Sequence, residues 1–297
     1  MKSTRRQFLR DSAIAATAVA IAGTGKAMAN PMGQPLGFQT FEIIPDLSQD
    51  WQGTWNKMAS YGYTYADLVQ FVPAYAPKLA SKAPQDILDA LHAANLKVTN
   101  GHFSYSSWME DYDKTVAIAH ALGLKSVICT LAPQHTTADD YKKMADALNT
   151  LGKKLQPEGF LLGYHNHQIE FVPVEGQIPW DILVTNTDPK LVSYQIDVGN
   201  LSFAGADAVT YLSKYPGRYF SLHVKDFRKG IASVPVGQGD LPWPKIFAIA
   251  RQQQIKSYVA EVGAYGIRTL QGEPMAPASM PVLESFKESA DFLKTVK

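Results

Sequence analysis

The sequence has a single cysteine among its 297 residues, Cys129, which lies in an apolar run. One cysteine cannot form an intramolecular disulfide, and it excludes a metal cluster built on thiolates. We expect Cys129 to be a small buried residue of the core. Any metal site in this chain must therefore use nitrogen and oxygen ligands.

An excess of charge of one sign is also missing, since 28 lysines and arginines face 27 aspartates and glutamates. Five of the basic residues and only one acidic residue precede position 30, so the remainder is mildly acidic. Such a chain lacks the basic footprint of a nucleic-acid-binding protein, and no nucleic-acid partner is expected. Beyond residue 29 we find no apolar run of the roughly 20 residues that span a bilayer. No membrane association is expected once that first segment is removed.

The first 29 residues contain the three parts of an export signal. The paired Arg5 and Arg6 come first, an apolar stretch from Ala13 to Gly23 follows, and Ala27-Met28-Ala29 provides the small residues of a cleavage site. The paired arginines resemble twin-arginine signals, whose pathway exports folded proteins, often with a cofactor in place. We predict a cleaved signal over residues 1–29 and a periplasmic mature protein. An uncleaved anchor is disfavoured because the apolar stretch is too short.

Residues 30–297 alternate short apolar runs with amphipathic segments. The runs are typical of strands and end at roughly 30-residue intervals, the length of one strand, one helix and two loops. Eight such units predict an α/β protein of one domain, a (β/α)8 TIM barrel, with a doubly wound open sheet as the alternative. The Gly237-Gln238-Gly239-Asp240 segment lacks the third glycine of a dinucleotide-binding turn. The predicted strand ends are Phe41, Val69, Phe103, Thr130, His165, Asp197, His223 and Glu261.

Polar side chains gather at these strand ends. In a TIM barrel the active site is built from residues at the carboxyl ends of the strands. Four of the seven histidines fall on this rim, and alternation along extended backbone places His165 and His167 on one face, as it does His223 and Lys225. Each residue alone could be a turn, a cap or a surface ion pair, but their coincidence on one rim favours a site. The candidates are Asp67, His102, His165, His167, Asp197, His223, Lys225 and Glu261.

A rim that combines carboxylates with imidazole suits a divalent metal ion. Oxygen-rich mixed sites favour Mn²⁺, Mg²⁺ or Co²⁺ and also permit Zn²⁺. Such an ion can hold a sugar carbonyl and its neighbouring hydroxyl, and it acidifies the adjacent C–H bond. A carboxylate beside that carbon can then remove and return the proton.

Four segments resemble those of the xylose-isomerase-like TIM-barrel proteins, often called sugar phosphate isomerases/epimerases. They are Tyr164-His165-Asn166-His167-Gln168-Ile169-Glu170-Phe171, Ile196-Asp197-Val198-Gly199-Asn200, Leu222-His223-Val224-Lys225-Asp226 and Val236-Gly237-Gln238-Gly239-Asp240. The resemblance covers nearly all of the chain after residue 35. It implies a metal site of two glutamates, an aspartate and a histidine on strands five to eight.

Three of these four implied ligands have direct matches in Asp197, His223 and Glu261. At the end of strand five, where many relatives have the first glutamate, this chain has His165. We predict that Glu170 returns to supply the missing carboxylate, with His165 or His167 as the alternative ligand. Glu170 and Glu261 would then be the catalytic acid/base pair.

The resemblance also implies substrate contacts. His102 and Lys225 match residues that contact substrate in the family, and we add His165, His167 and Trp108 as predicted substrate-binding residues. Trp243 can either face a sugar or pack in the core. The role of Asp67 stays open at this point.

The leading functional hypothesis is a metal-dependent isomerase or epimerase that moves a proton next to the carbonyl of a non-phosphorylated sugar or keto-sugar. One alternative is a lyase or hydratase on 3-keto-glycosides, which needs the same carbanion chemistry. Another is a non-catalytic periplasmic sugar-binding protein on the same scaffold. All three imply a small carbohydrate partner and are compatible with a homo-oligomer.

Overall fold

The structure is a computed structural model that describes residues 31–130, 132, 135–228, 231–263 and 280–296. The predicted export signal over residues 1–29 lies outside the described residues. Within the described part of the chain, no helix combines the length and apolar character needed to cross a bilayer.

Eight parallel strands close into a barrel, which confirms the predicted (β/α)8 fold. Around the barrel the order is β1, β10, β7, β6, β5, β4, β3 and β2, so that neighbours in space follow one another in sequence. Two short strands, β8 and β9, form a separate antiparallel pair after β7. The strands are β1 (Leu36–Gln39), β2 (Tyr65–Val69), β3 (Lys97–Ser104), β4 (Ser126–Thr130), β5 (Leu161–His165), β6 (Val192–Asp197), β7 (Tyr219–Val224), β8 (Asp226–Arg228), β9 (Ile231–Val234) and β10 (Ser257–Ala260).

Helices cover the outside of the barrel. They are α1 (Ile44–Gln49), α2 (Trp51–Ser60), α3 (Pro84–Ala93), α4 (Tyr105–Glu110), α5 (Tyr112–Ala121), α6 (Ala138–Leu155), α7 (Pro179–Asn186), α8 (Val198–Phe203), α9 (Ala208–Lys214), α10 (Trp243–Gln252) and α11 (Val282–Leu293). Short 3₁₀ turns follow β1 at Phe41–Ile43 and β5 at Ile169–Phe171.

Helix α6 shows how local sequence produces these elements. Thr137 caps its N-terminus by accepting a hydrogen bond from the Asp140 backbone N–H, as the Thr137–Asp140 spacing suggests. Its buried residues recur at helical spacing, with Tyr141, Met144 and Leu148 among them. The helix therefore presents one apolar face to the barrel and a polar face to solvent.

The core lies between the barrel and the helices. Cys129 on β4 is buried there as predicted, and burial raises the pKa of its thiol, which keeps it protonated. Trp180 on α7 packs against Tyr164 and Tyr194, which point outward from β5 and β6. Side chains that alternate with these residues point into the barrel.

Strand β7 carries one extra residue relative to β6. Tyr194 pairs with Tyr219 but Gln195 pairs with Ser221, so that Phe220 has no partner on β6. The ring of Phe220 occupies the space beside Gly163, where a Cβ atom would come within 2.7 Å of it. After this bulge, Ser221 lies opposite Gln195 on the neighbouring strand.

Asp226 fixes the loop that follows the β8–β9 pair. Its carboxylate accepts hydrogen bonds from the backbone N–H groups of Phe227, Gly237 and Gly239, and from Trp243 Nε1 at 2.7 Å. Gly237 has a φ of +92°, a conformation that favours glycine. Trp243 is buried by this contact and packs on Phe247, so its role is in the core and not as a wall against a sugar.

Candidate active site

Four side chains meet at the carboxyl ends of consecutive strands around one side of the barrel. His165 ends β5, Asp197 ends β6, His223 lies near the end of β7 and Glu261 directly follows β10. One ligand atom from each lies within 4.8 Å of the corresponding atoms of the other three. We call these four residues the donor cluster. All four are buried, and Glu261 is the most exposed at 8%.

Hydrogen bonds between strand ends hold Asp197 in place. Its backbone N–H donates to Asn166 Oδ1 at 2.8 Å, and Asn166 Nδ2 donates to the Asp197 carbonyl oxygen at 3.1 Å. Asn200 adds a third connection, because its side chain donates to the Asn166 carbonyl oxygen. The asparagines of the two motifs around Asn166 and Asn200 thus cross-link the ends of β5 and β6.

Asp67 on β2 is the hydrogen-bonding centre beneath the donor cluster. Its Oδ2 atom accepts from Gln195 Nε2 at 2.8 Å and from His223 Nε2 at 3.0 Å. His102 Nε2 also lies 3.2 Å from this oxygen, although out of line for a hydrogen bond. Burial tends to raise the pKa of Asp67, but the neighbouring His102 and His223 outweigh it and lower the pKa. Asp67 is therefore a buried anion between three strands.

His223 bridges two carboxylates. Its Nδ1 atom lies 2.7 Å from Glu261 Oε2, and its Nε2 atom faces Asp67 as described. Burial would lower the pKa of His223, yet the hydrogen bonds to Asp67 and Glu261 raise it to about 9. Each ring nitrogen faces a carboxylate, and a position between two carboxylates favours the protonated form of the imidazole.

Lys225 places an ammonium against the donor cluster. Its Nζ atom donates to Glu261 Oε1 at 2.8 Å and to Asn200 Oδ1 at 3.3 Å. Burial works against the charged form, but Glu261 and Asp197 raise the pKa of Lys225. For Glu261, burial raises the pKa, but Lys225 and His223 together lower it by more, so the carboxylate is ionised. Glu261 thus has one oxygen toward a lysine and the other toward a histidine.

One of the two carboxylate oxygens of Asp197 has no hydrogen-bond partner. Oδ1 accepts from the Asn200 backbone N–H at 2.7 Å, whereas Oδ2 is buried without a hydrogen-bond partner and lies 3.9 Å from His223 Nδ1. Burial raises the pKa of Asp197 to about 6, although Lys225 opposes that shift. A buried carboxylate oxygen without a partner, among imidazole and carboxylate donors, fits a metal ion.

The structure corrects the prediction that Glu170 completes the metal site. Glu170 Oε1 accepts from the Tyr164 hydroxyl at 2.6 Å, and Oε2 accepts from the His167 backbone N–H at 2.8 Å. Tyr164 points away from the barrel interior toward Trp180, so the carboxylate of Glu170 lies on the outer side of β5. The residue at the fifth strand end that joins the cluster is His165.

The other predicted substrate contacts divide between the site and the core. The rings of His102 and His167 each lie 5.2 Å from that of His165, centre to centre, and Lys225 contacts the donor cluster directly. Trp108 does not reach the site. Its ring packs on Phe103, the neighbour of His102 on β3 that faces the opposite side, and it is buried between strand and helix.

Sequence reasoning missed Gln195 and Ser221. Gln195 joins His165 Nδ1 at 3.1 Å to Asp67, and its Nε2 atom also donates to Ser221 Oγ. Both residues stand two positions before a donor residue, Asp197 or His223, and so share its face of the strand. The same alternation rule that selected the donors could have selected these two.

Gly199 is needed because no side chain fits at its position. It lies inside α8, and a Cβ atom there would come within 2.6 Å of the Lys225 carbonyl oxygen. We expect Gly199→Ala to lower the free energy of unfolding by about 1–3 kcal/mol because backbone must shift. Urea denaturation measures this change.

Ser202→Ala on the same helix is the matched control. The Ser202 hydroxyl is buried without a partner, so its removal costs no hydrogen bond. We expect its unfolding free energy to equal or slightly exceed that of the parent. Equal losses in both variants would show that α8 is merely intolerant of substitution.

Comparisons with known proteins agree with this architecture. A family model described as xylose isomerase-like TIM barrel matches residues 36–296. An inosose dehydratase of Lacticaseibacillus casei is 26% identical over 221 residues, which cover 66% of this chain and 70% of that protein.

Two solved structures share the fold. A sugar phosphate isomerase/epimerase from Parabacteroides distasonis ATCC 8503 has a TM-score of 0.75 at 24% identity, covering 95% of this chain and 98% of that one. The IolI protein with a bound zinc atom has a TM-score of 0.62 at 13% identity, covering 88% of this chain and 94% of that one.

Proposed function

Since this chain belongs to the xylose isomerase-like TIM-barrel family, we propose that it is a metal-dependent lyase that removes water from a small, non-phosphorylated polyhydroxy ketone. The observation that carries this proposal is the Glu261–Lys225 pair, hydrogen-bonded at 2.8 Å beside the donor cluster. An inosose is a ketone of this class, and an inosose dehydratase is among the relatives.

The donor cluster would hold the divalent ion through Asp197, His223, Glu261 and His165. The buried, unpartnered Asp197 Oδ2 supports this placement. A bound ion would polarise the ketone oxygen and so acidify the neighbouring C–H bond. Among the described residues, Lys225 is the only lysine or arginine that bonds to a carboxylate of the cluster. Because this lysine is already bonded to Glu261, it is not available to bind a phosphate group, which favours a substrate without phosphate.

The protein's own groups can complete an elimination. Glu261 Oε1 accepts the proton from the carbon beside the ketone, and the electron pair of that bond forms a C=C bond to the next carbon. The hydroxyl on that next carbon leaves as water after it takes a proton from Lys225 Nζ. Glu261 then returns its proton to Lys225 along their hydrogen bond. One C–H and one C–O bond break, and one molecule of water forms.

The outward position of Glu170 is the reason to place elimination ahead of two-base epimerisation. Two-base epimerisation needs a proton-transfer group on each side of the carbon, and Glu170, the predicted second base, faces away from the barrel interior. Retention of Asp197, His223 and Glu261 in one cluster argues against a protein that only binds sugar. A single carboxylate paired with an ammonium suits loss of water.

The test is incubation of the purified protein with an inosose in D₂O, with Co²⁺ or Zn²⁺ supplied. We expect mass spectrometry and NMR to show a product that has lost water, and the reaction to stop when a chelator removes the ion. Deuterium exchange beside the ketone without loss of water would instead identify an isomerase or epimerase. A second incubation with a 3-keto-glucoside tests the glycoside lyase activity. If neither compound takes up deuterium, the protein only binds sugars and does not catalyse proton transfer.

We also propose that residues 1–29 direct export of the protein to the periplasm. The paired Arg5 and Arg6, the apolar stretch and the Ala27-Met28-Ala29 site support this. The mature protein from the periplasmic fraction is expected to begin at Asn30 by N-terminal sequencing. Replacement of both arginines by lysine should retain it in the cytoplasm, and an unchanged distribution would contradict the proposal.

A further inference from the structure

The two imidazoles of the donor cluster are oriented from one source. We propose that Asp67, acting directly on His223 and through Gln195 on His165, makes the site present two imidazole nitrogens and so select zinc or cobalt over magnesium and manganese. This inference rests on the proposed function, because that function places a divalent ion in the cluster. It adds which ion the site takes and which residues decide it.

The orientation of the Gln195 amide is determined by its neighbours. Asp67 Oδ2, a carboxylate oxygen, lies 2.8 Å from the Gln195 nitrogen and can only accept. Ser221 Oγ accepts from the same NH₂ group at 3.2 Å and itself receives a hydrogen bond from Ser257 Oγ. The amide oxygen of Gln195 must therefore face the opposite way, toward His165.

This orientation determines the tautomer of His165. Gln195 Oε1 lies 3.1 Å from His165 Nδ1, and an amide oxygen requires a donor, so Nδ1 carries the proton. In the neutral ring Nε2 is then the unprotonated nitrogen. No other described residue hydrogen-bonds to Nε2. Because Nδ1 is engaged by Gln195, the lone pair of Nε2 is the one that β5 can offer to an ion.

His223 is oriented by the same carboxylate from the other side. Asp67 Oδ2 holds its Nε2–H at 3.0 Å, so Nδ1, which faces Glu261 Oε2 and Asp197 Oδ2, is the nitrogen that would exchange its proton for an ion. A carboxylate behind a ligating histidine is the usual way in which proteins set its tautomer and ring orientation. The unusual feature is that one carboxylate does this for two histidines, because Gln195 relays it to His165.

The resulting donor set is two imidazole nitrogens and two carboxylates. Imidazole suits zinc and the later first-row ions, whereas oxygen-only sets suit magnesium and manganese. The resemblance to the family implies a single histidine with three carboxylates, so His165 raises the share of nitrogen. The fifth strand end is thus the position at which this chain sets its ion preference.

The experiment measures metal binding and not turnover. Protein stripped by a chelator is titrated with Zn²⁺, Co²⁺, Mn²⁺ and Mg²⁺ in competition with a chromophoric chelator, and the visible spectrum of bound Co²⁺ is recorded. We expect Zn²⁺ and Co²⁺ to bind at least about 100-fold more tightly than Mn²⁺, and Mg²⁺ to bind weakest. His165→Glu should lower the ratio of Zn²⁺ affinity to Mn²⁺ affinity by at least about tenfold.

Two further variants separate ligand from positioning residue. His165→Gln should alter the Co²⁺ spectrum, because a nitrogen ligand is lost. Gln195→Met should retain a Co²⁺ spectrum but lower Zn²⁺ affinity by about 10–100-fold, the usual loss when the partner of a ligating histidine is removed. NMR of ¹⁵N-labelled histidine in the unsubstituted protein should show one ring with Nδ1–H and a bare Nε2, and Gln195→Met should abolish that preference.

Glu170→Gln is the matched control, because it alters a buried acceptor at the end of the same strand outside the cluster. We expect its affinity and Co²⁺ spectrum to equal those of the parent. A Co²⁺ spectrum that changes in Glu170→Gln but not in His165→Gln would overturn the inference. Equal affinities for Mn²⁺ and Zn²⁺ would also overturn it, and so would an unchanged His165 tautomer in Gln195→Met. Failure to bind any of the four ions would overturn the inference and the metal dependence together, whereas elimination could fail with the metal result intact.

Discussion

Glu261→Gln is expected to lower kcat for dehydration of an inosose by about 10²–10⁴-fold, the usual contribution of a positioned acid or base. The amide has the shape of the carboxylate but cannot accept the proton from carbon. It also gives up one of the two acceptors that face Lys225 and His223. Steady-state kinetics measures the loss, and far-ultraviolet circular dichroism checks that the variant remains folded.

Glu170→Gln provides the comparison for the same chemical change. Glu170 is also a buried carboxylate that accepts two hydrogen bonds, from the Tyr164 hydroxyl and the His167 backbone. Because it faces away from the donor cluster, we expect most of the activity to survive. Turnover that survives Glu261→Gln would disprove its role as the base. Equal losses in both variants would restore Glu170 to the catalytic pair.

Asp226→Asn is expected to lower the free energy of unfolding by about 3–5 kcal/mol, the largest effect on stability among our predictions. Each oxygen of Asp226 accepts at least two hydrogen bonds from N–H groups. Whichever oxygen becomes an NH₂ group, those buried donors then face another donor. Urea denaturation with a two-state analysis measures the change.

Asp207→Asn is the control for this substitution. Asp207 caps the exposed start of α9 through one backbone N–H, that of Thr210, and asparagine caps helices about as well as aspartate. We expect a change within about 0.5 kcal/mol. If Asp226→Asn is equally mild, the loop does not depend on this carboxylate. A large loss would explain why aspartate follows Lys225 in the motif of β7.

The barrel and most of its rim could be predicted because both depend on local periodicity. Apolar runs at regular intervals predict eight strands, and the observed β5 and β6 end at His165 and Asp197 as expected. Alternation then predicts which side chains share a face, as for His223 and Lys225. No information from distant parts of the chain is needed for these steps.

Glu170 shows where local reasoning ends. Five residues after His165, the direction of its side chain depends on the 3₁₀ turn at Ile169–Phe171 and on a tyrosine hydroxyl beyond the strand. Trp108 failed for a similar reason, because the helix that carries it packs behind β3. The direction of neither side chain can be read from the two-residue period of strands or the 3.6-residue period of helices.

The sequence by itself determined the barrel and its eight strands, each of which ends within two residues of the predicted position, because repeated hydrophobic patterns specify elements. The resemblance of its motifs to the family added three of the four donors on the same rim. Only the tertiary structure decided that His165 is the fourth donor and that Asp67 orients two histidines. Asp67 and His223 are 156 residues apart in the chain and bond directly, and Gln195 links Asp67 to His165 across the barrel. Such contacts depend on closure of the sheet and on the bulge at Phe220, which no local pattern specifies.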